Sequence, residues 1–261
     1  MTAYLLEAFP GPVLALLFLL VFVSYAVAAT VIGRRLVPLA GRGHNEVGSV
    51  VLATVGVVYA VLLVFAVIAL WERRVDVDDH AANEASYLID AYRDARALAA
   101  PGRTAVQSEL TQYVHAVIEH GYPDLHRGRP SAVSRQEFID VFSAAQSYTP
   151  QNSVEDAWYR ELLRQLNSAS AERALRIGAV SGSLPNVFWV VLFVSSLLTL
   201  GLGALVSMEH ARYHLAFQVV FAAVVALLLF LAVILDRPFS GDYALSPEPF
   251  EQALDVFAAM R

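Results

Sequence analysis

The chain has 261 residues, of which 57% are hydrophobic and 16% charged, with a mean hydropathy of +0.54. That balance is too apolar for a soluble surface and points to a membrane protein. A formal net charge of −6 leaves no electrostatic footprint for nucleic acid, and the absence of cysteine excludes disulfides, thiol catalysis and cysteine-ligated metals.

Four uncharged runs follow in chain order: Gly11 to Gly33, Ser49 to Trp71, Asn186 to Met208 and Tyr213 to Leu235. Each is long enough, at a helical rise of about 1.5 Å per residue, to cross a hydrocarbon core of about 30 Å. The first is too long for a removable signal peptide and has no basic leader, so it is expected to stay. The expected architecture is all-α: transmembrane helices at 11–33, 49–71, 186–208 and 213–235, a helical extramembrane domain at 72–185 and a tail at 236–261. Short loops join the first two spans and the last two; the N-terminus, the large domain and the tail share the other side.

Helix two meets no Gly or Pro between Gly56 and Pro101, so it is expected to continue unbroken out of the bilayer. On its polar half Ala81, Ala85, Leu88, Ile89 and Tyr92 recur at helical spacing. Val106, Leu110, Tyr113, Val114 and Val117 make a second such stripe. Ser134 with Glu137 has the spacing of a capping box before Phe138, and Ser153 with Asp156 marks a further start before a face of Trp158, Leu162, Leu163 and Leu166. No useful period-two pattern interrupts them. The stretch His120 to Ser131 is the clearest loop.

Within the second span, Ala53, Gly56 and Ala60 form a small-residue side that lets another helix approach. The opposite side carries Val58, Val61, Leu62, Phe65 and Ala69, then Glu72 at the exit. Such a wall is a hydrophobic constriction if several copies surround a path, and a packing or lipid-facing surface otherwise. No charge lies deep in any span, which disfavours an ion-coupled carrier. Four spans are few for a transporter built from repeats, so any conducting path requires an oligomer.

Other candidate groups weigh toward ordinary roles. His115, His120, Asp124 and His126 lack a recognised ligand spacing, and no metal or cofactor is expected. Asp76, Asp78 and Asp79 read first as a solvated helix face near Arg73 and Arg74. Arg73 and Arg74, with Arg173 and Arg176 before span three, either draw anions into a vestibule or anchor helices at the headgroups. Ser195, Ser196, Thr199 and Gln218 are expected to bond between helices. No phosphate loop, triad or acid pair is singled out, and no enzymatic activity is expected.

The runs "GVVYAVLLVFAVIALWERR", "NEASYLIDAYRDARALAAPGR", "SLPNVFWVVL" and "LDRPFSGDYALSPEPFEQAL" resemble the bestrophin-like domain family of bacterial membrane proteins. More distantly the layout is similar to the bestrophin anion channels. The resemblance covers nearly the whole chain and rests most on Trp71, Glu72, the Glu84 to Arg93 helix and the closing run Asp236, Arg237, Pro238, Phe239 and Gly241. It implies four spans, a helical domain between the second and third, and a homo-oligomer, five-fold, with helix two around the axis. Small inorganic anions would be the permeant species, the lipid bilayer the other partner, and the bacterial inner membrane the location. It also implies a tail that turns at Pro238 to Gly241 and folds back on the aqueous domain of its own or of a neighbouring subunit. Asp242 is followed by Tyr243, Ala244 and Leu245, too few oxygen ligands for calcium.

Orientation is drawn two ways. Arg34, Arg35, Arg42 and Arg212 on the short-loop side balance Arg73, Arg74, Arg173, Arg176 and Arg237 on the other. The first span, with basic residues only after it, favours cytoplasmic short loops, whereas the resemblance implies a cytoplasmic helical domain. The rival to a channel is a membrane-anchored sensor or scaffold whose helical domain binds a partner.

Overall fold

The computed structural model describes residues 9–36, 42–180, 184–206 and 208–261. Val37 to Gly41 of the first short loop, Ser181 to Ser183 at the domain boundary and Ser207 of the expected third span lie outside them. Among the described residues the chain is helical: α1 (Gly11–Leu36), α2 (Arg42–Asp94), α3 (Gly102–Ala116), α4 (Tyr122–His126), α5 (Ala132–Gln146), α6 (Ser153–Gly178), α7 (Asn186–Leu205), α8 (Ala211–Leu235) and α9 (Glu248–Met260). A 3₁₀ turn at Ala95–Ala97 follows α2, and a π turn at Val117–Gly121 joins α3 to α4.

Among the described residues four helices are long and apolar enough to cross a membrane, and they contain the four uncharged runs except the end of the third. Their ends differ from the runs because hydropathy marks where charge begins, whereas a helix continues through polar residues while its backbone bonds are made. Thus α1 carries on through Arg34 and Arg35, and α2 starts at Arg42 and spans 53 residues without a break. α7 ends earlier than the run, at Leu205, where Val206 turns extended.

Two compact units divide the chain, Met1–Glu72 with Ser183–Arg237, and Arg73–Gly182 with Pro238–Arg261. In the first, Leu14, Phe18, Phe22 and Ala26 of α1 pack with Tyr59, Leu63, Ala66 and Leu70 of α2, Trp189 and Leu192 of α7, and Ala222, Val225 and Leu229 of α8. Gly33 permits close approach: a Cβ there would stand 2.6 Å from the Ala204 carbonyl oxygen. Polar groups pin the same spans. The Tyr25 hydroxyl donates to the Leu197 carbonyl at 3.0 Å, and the Gln218 amide to the Leu200 carbonyl at 3.0 Å. Thr199 departs from expectation, since it donates to the Ser195 carbonyl on its own helix, and the Ser196 hydroxyl likewise donates to the Phe193 carbonyl. A hydroxyl on a short stem reaches the preceding turn more readily than a neighbouring helix.

The second unit has its own core. Val77, Ala81, Leu88 and Tyr92 of α2 bury against Val106, Leu110 and Tyr113 of α3, Phe138 and Val141 of α5, and Leu162 and Leu166 of α6. The caps sit a little earlier than the spacing suggested. Ser131, not Ser134, caps α5, its hydroxyl accepting from the Ser134 amide at 3.5 Å, and Ser134 is buried. Asn152, not Ser153, caps α6, accepting from the amides of Val154 and Glu155 at 3.0 and 2.9 Å. Asn fits because its carbonyl oxygen reaches both free amides of the first turn.

The tail closes onto this core within the same chain. Gly241 adopts φ +75°, a left-handed conformation that a side chain disfavours, and the Leu245 amide donates to the Pro238 carbonyl at 2.8 Å. Phe239, Phe250 and Phe257 are buried, with Phe257 stacked on Tyr92 at 4.2 Å between ring centroids.

Candidate functional site

The membrane part of α2 is the least covered of the four spans. Of its most apolar stretch 17% is buried by the rest of the chain, against 50% for α8. At 3.6 residues per turn, the buried Tyr59, Leu63, Ala66 and Leu70 fall within an arc of about 60°. About half of the circumference stays open. Val58 is 65% exposed, Val61 49% and Phe65 67%, and Ala69 and Glu72 are exposed with them; Leu62, at the edge of the stripe, is half-buried. Apart from Leu62, the wall expected from the sequence is therefore an uncovered strip in this chain.

The small-residue side is uncovered too, and in this chain it does not seat a helix closely. A Cβ at Gly56 would meet nothing within 4 Å. Gly56, Ala60 and Val64 instead edge an apolar groove of about 230 Å³ whose other side is Phe221, Val224 and Leu228 of α8. The residues that face inward are the larger Tyr59 and Leu63, which fill space that small residues would leave empty.

Beyond the wall the arginines separate into two kinds. Arg73 donates through Nη2 to the Ala179 carbonyl at 3.0 Å, and Arg74 through Nη2 to the Tyr243 carbonyl at 2.6 Å. Arg173 lies over the Phe138 ring, 5.0 Å from its centroid. Among the described residues none of these three forms an ion pair with a carboxylate, although Asp78 stands near enough to Arg74 to act on its charge.

Arg176 is different, and its assignment to a solvent-facing mouth is corrected. It is 2% exposed and bound in two-pronged fashion to Glu84, Nε to Oε2 at 2.7 Å and Nη2 to Oε1 at 3.1 Å. Tyr113 donates its hydroxyl to the same Oε1. The guanidinium stands 5.0 Å from the Phe250 ring centroid and 5.7 Å from that of Tyr122, and Tyr122 meets Phe239 edge-on. Desolvation opposes the Arg176 charge, but Glu84 outweighs it and raises its basicity. Burial also lifts the Tyr122 hydroxyl, to about 12.

This network was missed in the sequence although a signal was there. Glu84 lies on the apolar stripe of Val77, Ala81 and Leu88, and Arg176 continues that of Leu162, Leu166 and Ala169. A charge in the middle of a buried stripe demands a partner, and two such charges on different helices suggest each other.

The closing run is split between roles. The Asp236 carboxylate accepts from the Leu184 amide at 2.9 Å, joining the end of α8 to the entry of α7, and Arg237 lies 3.9 Å from Asp236. Pro238, Phe239 and Gly241 make the reversal described above. The stretch expected as a loop is helical as far as His126, and its histidine and acid group does not assemble among the described residues: the Asp124 carboxylate is engaged by Arg129 at 3.0 Å and Arg127 at 3.3 Å, while His115 pairs loosely with Glu119 at 3.9 Å. Hydrogen bonds from Arg129 in the first place hold Asp124 below the usual carboxylate range.

Residues 20–250 match the family model of the Bestrophin-like domain. The chain belongs to the Bestrophin-like family. Solved structures share this Bestrophin-like fold at low identity. A point variant of a bacterial Bestrophin homolog from Klebsiella pneumoniae aligns at 14% identity over 94% of this chain and 98% of its own, with a TM-score of 0.73. The same organism's homolog solved by zinc phasing aligns at 13% identity over 93% and 98%, also at 0.73. A structure described as a membrane protein variant aligns at 13% over 94% and 98%, at 0.74. No curated protein matches the Bestrophin-like chain.

Proposed function

We propose that the protein is a passive ion channel formed by several copies of the chain, pentameric and anion-selective, with α2 around the axis. Val58, Val61, Leu62, Phe65 and Ala69 form its neck. The observation that carries this reading is the uncovered apolar strip of α2, a surface that four spans of one chain leave unpartnered. An apolar neck controls ions by narrowing and dewetting rather than by binding them. The strip and the opposite small-residue side together give α2 one face for the axis and another for a neighbouring copy. Anion preference is supported by Arg73, Arg74 and Arg173, positive groups that take no salt-bridge partner among the described residues and attract negative ions; Glu72, next to Arg73 in sequence, and Asp78, which acts on Arg74, oppose them. Membership of the Bestrophin-like family supports the same reading, as does the absence of charge deep in the spans, which suits passive conduction.

The chain has no cysteine, so single replacements report one position each. In membranes, Val61→Cys and Phe65→Cys are expected to crosslink between copies on oxidation, and Leu63→Cys is not. In liposomes the purified protein is expected to pass chloride above empty vesicles. Monomeric protein in native lipid, or no chloride flux from a confirmed oligomer, overturns the channel and returns the chain to a membrane-anchored scaffold.

A further inference from the structure

α2 and α6 are joined by two ion pairs one helical turn apart, and the pairs have opposite sense. His80 and Glu84 of α2 face Glu172 and Arg176 of α6 in the same order, so an imidazole meets a carboxylate on one rung and a carboxylate meets a guanidinium on the next. The second rung is permanent, because guanidinium keeps its proton throughout the accessible pH range and both partners are buried. The first is not. His80 Nδ1 lies 2.7 Å from Glu172 Oε2, a distance typical of a charge-assisted bond, and its side chains are 28% and 19% exposed, within reach of solvent protons.

The charges around His80 can be named on both helices. On α2, Asp76 and Glu84 fall on the same face and Asp79 to its side. From α6 come Glu172, Arg173 and Arg176; Arg173 is turned over Phe138 and Arg176 is taken up by Glu84. The imidazole therefore stands against the Glu172 carboxylate, and a proton on it changes a hydrogen bond from a neutral ring into an ion pair. Imidazole is the side chain whose ordinary titration falls between pH 5 and 8.

We propose that His80 and Glu172 form a proton-operated brace between α2 and α6, engaged in mild acid and slackened at alkaline pH. The place matters: α2 is the same unbroken helix that carries the apolar wall, and α6 is the helix that precedes α7 in the chain. Proton concentration would thus set how firmly the extramembrane stretch of α2 is held, whether or not the protein conducts.

The test is the thermal midpoint of the purified full-length protein between pH 5.5 and 8.5. His80→Gln should lower the midpoint by about 2–4 °C at pH 5.5 and leave it nearly unchanged at pH 8.5. Glu172→Gln should erase the same acid-side advantage, and His80→Arg should retain it at both pH values. A purely structural histidine gives a gap between wild type and His80→Gln that is constant with pH. That result, or His80→Arg behaving like His80→Gln, overturns the brace.

Discussion

Glu84 and Arg176 meet as a two-pronged pair with both side chains essentially out of solvent, 92 positions apart in the chain. Removing one member strands the other's charge in a dry interior. Glu84→Gln or Arg176→Met alone is therefore expected to cost about 3–5 kcal/mol. Replacing both with apolar residues should cost clearly less than the two single losses added, because no charge is left behind. Denaturation of the purified variants as a double-mutant cycle measures this; strictly additive losses would show that the two do not act as a pair.

Glu155 sets an acid limit at the start of α6. The Gln151 amide donates to its Oε2 at 2.9 Å, the Tyr148 hydroxyl at 2.7 Å, and the Asn152 amide to Oε1 at 3.1 Å. The Gln151 bond first, then that of Tyr148, holds this carboxyl below its usual range. A depressed folded-state value means that the contribution to stability is complete above the ordinary glutamate range, near pH 4.3, and is lost as pH falls through the folded value. Glu155→Gln should accordingly flatten the acid side of a stability-against-pH curve. An unchanged curve would show that these bonds do not distinguish the two protonation states.

The two sides of α2 should answer differently to truncation. Phe65→Ala removes bulk from the uncovered strip and is expected to raise chloride flux in liposomes several-fold while leaving the melting temperature within a few degrees. Leu63→Ala empties a buried position, 2% exposed, and should cost about 2–5 kcal/mol without a comparable rise in flux. Equal flux from both variants would separate the strip from conduction.

Gly33 and the Ala204 carbonyl offer a probe of span packing. A methyl group at Gly33 would lie 2.6 Å from a backbone oxygen that cannot rotate away. Gly33→Ala should destabilise the membrane unit by about 1–3 kcal/mol, read as a lower melting temperature of the solubilised protein. Gly56→Ala, which meets nothing within 4 Å in the single chain, is the matched control for folding.

The sequence alone determined the four membrane helices, the unbroken length of the second and the all-helical character of the aqueous unit. Each follows from a local cause: a run of apolar residues must avoid water, and a stretch without Gly or Pro has no reason to stop. It also placed Val58, Val61 and Phe65 on one face, since 3.6 residues per turn is a property of the backbone. Only the tertiary structure decided that this face is left uncovered while Tyr59 and Leu63 turn inward, because burial depends on which helices arrive as neighbours. The same holds for Arg176. By spacing it belongs with Arg173 at the approach to the membrane, and it is the distant Glu84, with Tyr113 and the returning Phe250, that withdraws its charge into the core. Long-range pairs of this kind are not encoded in any local window; they exist when two buried charges can satisfy each other at a lower cost than either alone.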